Sequence, residues 1–72
     1  MVEAFTIPQA VVDRMIEEAT ELNFKMERLD AFIKTQAFKE LHLLDRSLLL
    51  AQSASMQSYF NFLTMRIDRA TA

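Results

Sequence analysis

The sequence predicts an all-α fold: an antiparallel helical hairpin with a short connecting helix, assembled as a dimer or higher helical oligomer. Three observations predict it. Among 72 residues there is no Gly and one Pro, so the residues that punctuate strands and tight turns are almost missing. Apolar residues recur at alternating steps of three and four along two long stretches, the period of a helix face and of a coiled-coil seam. A chain of 8.4 kDa is also marginal for a self-sufficient core. Two long helices leave apolar surface uncovered unless copies associate.

Composition bounds the rest. Residues 1–72 make one domain. With 51% hydrophobic and 25% charged residues, the chain reads as folded and not as disordered. The absence of Cys excludes disulfides and thiolate metal sites and points to a reducing compartment, so a cytoplasmic location is expected. A net charge of −2 speaks against a nucleic-acid partner. No apolar run approaches the roughly 20 residues of a membrane span, no signal peptide is read at the start, and no membrane partner is expected.

Met1 to Phe5 is a short apolar stretch. Thr6, Pro8 and Gln9 then predict a helix start, with Thr6 capping, Gln9 bonding back in a capping box and Pro8 tolerated in the first turn. The first helix is placed at about 7–34. Val12, Met15, Ala19, Leu22, Met26, Leu29 and Ile33 form its heptad seam, while Val11, Ile16, Phe24 and Phe32 fall off it. Thr35 is read as the cap of a short helix at about 36–41 that turns Phe38 and Leu41 back toward the hairpin. The second long helix is placed at about 43–69. Its seam is read as Leu49, Gln52, Met56, Tyr59, Leu63, Ile67 and Ala70, with Phe60 beside it and Leu48, Phe62 and Met65 on another face. Ala51, Ser53, Ala54, Ser55 and Ser58 are small enough to admit a neighbouring helix closely; that rule comes from membrane helices, but its steric basis holds in water.

Charge supports the reversal. Residues 1–30 carry seven acids against three bases, and residues 31–72 carry three acids against five bases. Folding back sets Arg66 and Arg69 beside Asp13, Glu17 and Glu18, where each pair contributes under about 1 kcal/mol and helps to fix register.

Enzymatic chemistry finds no constellation. His42 stands alone and reads as a surface or capping residue, and one His without Cys builds neither a metal site nor a triad. Asp13, Glu17 and Glu21 share a face, but the Glu-x-x-His motif of di-metal bundles is missing, so the acids read as solvated and no metal or cofactor is implied. Lys34, Lys39 and Arg46 gather at the hairpin tip, far from Arg66 and Arg69, which is a poor duplex footprint. Arg66 and Arg69 have the fork geometry to hold a phosphate. Tyr59 needs a partner for its hydroxyl, and with Gln52 it either fixes helix register or faces a ligand. Tyr59, Arg66 and Arg69 are therefore the candidate ligand residues. The candidate core and oligomer residues are Leu22, Leu29, Phe32, Ile33, Leu49, Met56, Phe60, Leu63 and Ile67.

Leu22, Leu29-Asp30-Ala31-Phe32-Ile33, Phe38, Leu41, Arg46-Ser47-Leu48-Leu49, Gln52, Met56, Tyr59, Leu63 and Arg66-Ile67 together resemble a family of small tailed-phage and prophage proteins first labelled from crAss-like phages. The likeness covers about residues 10–69. His42-Leu43-Leu44-Asp45 replaces the acidic loop that often precedes the family's Arg. The resemblance implies an accessory protein of the host bacterial cytoplasm that acts by stoichiometric binding, with a host defence protein or a nucleotide second messenger as partner. The architecture is also similar to the oligomeric helical-hairpin sponges with which phages sequester cyclic nucleotide signals of the CBASS type. The resulting expectation is a non-enzymatic phage binding protein that counters host defence, the alternative being a structural protein that acts only by helical self-association.

Overall fold

A computed structural model describes residues 6–72; the apolar Met1–Phe5 stretch lies outside them. Three helices follow one another: α1 (Gln9–Ile33), α2 (Gln36–Lys39) and α3 (Leu43–Thr71). Among the described residues there is no strand. Ser53 meets Asp30 and Tyr59 meets Glu18, so the sequence separation of contacting residues widens away from the connection. α1 and α3 are therefore antiparallel.

α1 starts two residues later than its apolar pattern predicts, and without the capping box. Pro8 occupies the N-cap with no side-chain cap, and its carbonyl accepts from the Val11 and Val12 amides. The Gln9 side chain donates forward to Asp13 Oδ1 at 2.9 Å, so it is not available to reach back to Thr6. The extended backbone of Pro8, ψ 143°, sets the helix entry instead.

Reversal is achieved entirely with negative φ angles among the described residues. Thr35 Oγ1 donates to the Phe32 carbonyl at 2.6 Å and accepts the Phe38 amide at 3.2 Å, closing α1 and opening α2 with one hydroxyl. His42 Nδ1 accepts the Leu44 amide at 3.0 Å and is the N-cap of α3. Between the two caps, Phe38 is buried and meets Phe32 edge-on, with centroids 6.1 Å apart and an interplanar angle of 87°, a favoured aromatic geometry.

The core sits toward the open end of the hairpin. Leu63 is 0% exposed and packs with Val12, Met15 and Ala19, flanked by Ile7, Val11, Phe60, Ile67 and Ala70. Nearer the connection Leu22, Leu29, Phe32, Ile33, Leu49 and Met56 are half-buried, because two helices bury only one stripe each. The stripe of α3 that faces α1 differs from the one read in the sequence. Ser53 and Phe60 are half-buried, whereas Gln52 and Tyr59 are exposed. Burying Tyr59 and Gln52 would strand a phenol and an amide away from water; turning Phe60 inward avoids that penalty.

Two substitutions test this packing in chemical denaturation. Leu63→Ala is expected to lower stability by about 2–5 kcal/mol, as for a fully buried leucine. His42→Ala is expected to remove about 1 kcal/mol by leaving an α3 amide uncapped, and His42→Asn to restore most of it.

Candidate functional site

The two helices leave two unequal flanks. On one, Tyr59 projects from α3 toward Glu18 of α1, and its hydroxyl donates to Glu18 Oε1. Tyr59 and Arg66 are seven residues apart and so share an angular position on α3. The Glu18 carboxylate that accepts the hydrogen bond raises the Tyr59 phenol above its ordinary value; desolvation and the Glu18 charge act in the same direction, and the nearby Arg66 guanidinium opposes them. Tyr59, Glu18 and Arg66 thus make a small polar cluster across the helix pair. From the sequence the phenol needs a partner, but Glu18 is expected beside Arg66 and Arg69 instead. The antiparallel register joins the two.

On this flank the link across the helices is phenol to carboxylate, not the expected pairing of Arg66 or Arg69 with Asp13, Glu17 or Glu18. Arg69 is exposed one turn further along α3. Gln52 does not join the cluster; its amide lies 3.9 Å from Met56 Sδ on its own helix.

The opposite flank holds an open groove of about 390 Å³ lined by Ile16, Ala19, Thr20, Asn23, Phe60 and Ile67. Its walls are mostly apolar, with the Asn23 amide at the rim; Thr20 spends its hydroxyl on the Ile16 carbonyl at 2.9 Å. Within one chain, then, Tyr59 and Arg66 lie two turns apart on one flank, and neither they nor Arg69 line the groove. Sequence reasoning did not find the groove. Its one signal was Ile16, which falls off the α1 seam by a single helical step toward Asn23.

At the hairpin tip Lys34 and Lys39 are exposed, while Arg46 is half-buried with its Nε shielded from water and unbonded. His42 serves as a helix cap. Among the described residues no group of three His, Cys, Asp or Glu converges to hold a metal ion, and no helix is long and apolar enough to cross a membrane.

A phenol titration tests the cluster directly, because Tyr59 is the single tyrosine and there is no tryptophan. Ultraviolet titration is expected to show Tyr59 ionising above the ordinary phenol range, and Glu18→Gln to bring it back down. The sign follows from the raised folded-state value: stability from the Tyr59–Glu18 bond is complete below the unfolded phenol value and disappears as pH rises through the folded one.

Among known proteins, a family model described as Sequestin matches residues 9–69, from the first turn of α1 to the last turns of α3. No curated protein and no solved structure matches the chain.

Proposed function

Because the chain belongs to the Sequestin family, we propose that it acts by sequestration: a non-enzymatic phage accessory protein that counters a host antiphage defence by stoichiometric binding. Its target is a host defence protein or a small nucleotide signal, and it works as a homo-oligomer in the host bacterial cytoplasm. The observation that carries the reading is the family match, whose name denotes sequestering and which spans α1, α2 and most of α3.

The surface chemistry fits capture. A groove of about 390 Å³ lies within the roughly 300–1,000 Å³ of small-ligand sites. Ile16, Phe60 and Ile67 offer apolar walls for a ring, and Asn23, whose Nδ2 donates to Glu27 Oε1 at 3.2 Å, offers its amide oxygen to orient it. Tyr59 is 42% exposed and stands ready for stacking, while Arg66 and Arg69 have the planar forks that grip phosphate oxygens in pairs. A sequestering protein needs nothing more. It lowers the free ligand by mass action when it outnumbers the ligand and binds it below its working concentration.

Native mass spectrometry of the chain purified gently from bacterial lysate tests the proposal. A closed oligomer that retains a nucleotide-sized mass, or one host protein in fixed ratio, is the supporting result. Tyr59→Ala is then expected to lower retention about tenfold at unchanged subunit number, and Arg66→Ala and Arg69→Ala to lower it by about as much through lost charge-assisted hydrogen bonds. Release of the captured molecule in chemically altered form would overturn the non-enzymatic reading. An assembly that captures nothing would favour the alternative, a protein whose task is self-association. That second reading is supported by the exposed apolar residues along α3.

A further inference from the structure

α3 carries two apolar stripes on nearly opposite faces, and α1 covers only one. The outward stripe holds Leu44 and Leu48 toward one end and Phe62 and Met65 toward the other, at 58–68% exposure. Ala51, Ser55 and Ser58 are exposed between them. Steps of four and three residues continue without a break from Leu44 to Arg69, which defines one straight heptad seam about 37 Å long.

We infer that this stripe is a self-association surface: two copies pair α3 against α3, antiparallel, about a twofold axis level with Met56 and Gln57. The inference rests on the homo-oligomer of the proposed function and deepens it by naming the interface, which requires no ligand.

Size complementarity is the first argument. Reversing the stripe about its own midpoint sets Leu48 against Met65 of the second copy, Ala51 against Phe62, Ser55 against Ser58, and at each end Leu44 against the aliphatic stem of Arg69. The phenyl ring then lies over a methyl group, and the small central pair lets the backbones approach at the axis, as a self-complementary twofold interface requires. A parallel pair would instead stack Phe62 on Phe62 and leave a gap at Ser55.

Charge is the second. Asp45 and Arg66 occupy equivalent flanking positions of the heptad, and antiparallel pairing brings Asp45 of each copy within a turn of Arg66 of the other, twice by symmetry. In a parallel pair these groups would lie about 31 Å apart along the axis.

Area is the third. The chain exposes 5848 Å², whereas a compact 8.4 kDa protein exposes about 4,600 Å². The excess of about 1,200 Å² is spread over the whole elongated chain, and pairing the outer face of α3 would cover part of it.

Sedimentation of the full chain without ligand tests the inference, with helicity by circular dichroism as the control for folding. The expected result is a dimer, or a larger even assembly, at micromolar concentration. Asp45→Arg and Arg66→Asp should each weaken association about tenfold or more, and the double variant should restore it. Because the chain has no cysteine, orientation is read separately. Ser55→Cys chains mixed with Ser58→Cys chains should form a disulfide, while Ala51→Cys chains should not link to one another. A monomer, an association indifferent to both charge reversals, a double variant that fails to restore it, or self-linking of Ala51→Cys would each overturn the inference. A monomer that still retains a ligand would do so while leaving sequestration standing.

Discussion

Reversing a helical chain without glycine is the constraint on which the rest of this structure depends. The left-handed backbone with which many helices end favours glycine, and no described residue adopts it, so the reversal rests on side chains that act as caps. Thr35 serves both α1 and α2, and His42 starts α3. Phe38, wedged edge-on against Phe32, fills the space between them. These contacts fix where α3 begins and in which direction it runs, and thereby which residues of α3 meet Glu18, Asp30 and the Val12–Ala19 segment.

The resulting layer is thin. Its extents are 60 × 19 × 14 Å and its radius of gyration is 16.8 Å, against about 11 Å for a compact domain of this length. Each helix buries one stripe, so the core is dense only around Leu63 and shallow toward the connection. Among the described residues, the Tyr59–Glu18 bond and the apolar groove both sit on the flanks of the helix pair. The single-chain geometry also divides the surface. The polar cluster of Tyr59, Glu18 and Arg66 lies on one flank and the apolar groove on the other, so a ligand that engages both chemistries needs more than one chain.

The Tyr59–Glu18 link shows how a flank becomes specific. A carboxylate that was one of many on an acidic helix becomes distinct because the register places a phenol opposite it. The same register denies Arg66 and Arg69 the expected salt bridges, leaving their guanidinium groups at the surface for a phosphate, a carboxylate of another copy, or solvent.

Much of this was legible in the sequence because the signals are local and periodic. Val12, Met15 and Ala19 are buried as their spacing requires, Thr35 caps α2, and the sets of apolar residues on α3 reflect helical geometry that one helix carries by itself. The tertiary structure decided what depends on the rotation of one helix against the other. It turned Phe60 inward and Tyr59 outward, a choice of one residue that periodicity alone could not make because both lie within a step of the same stripe. It paired Tyr59 with Glu18, and it placed Ile16, Asn23 and Phe60 around one groove. At the start of α1 it replaced a hydrogen-bonded capping box with the backbone of Pro8, since Gln9 had a nearer partner in Asp13. Sequence determines the faces a helix can offer; only packing against α1 selects which of them is buried, because that choice balances apolar burial against the cost of drying a hydroxyl or an amide.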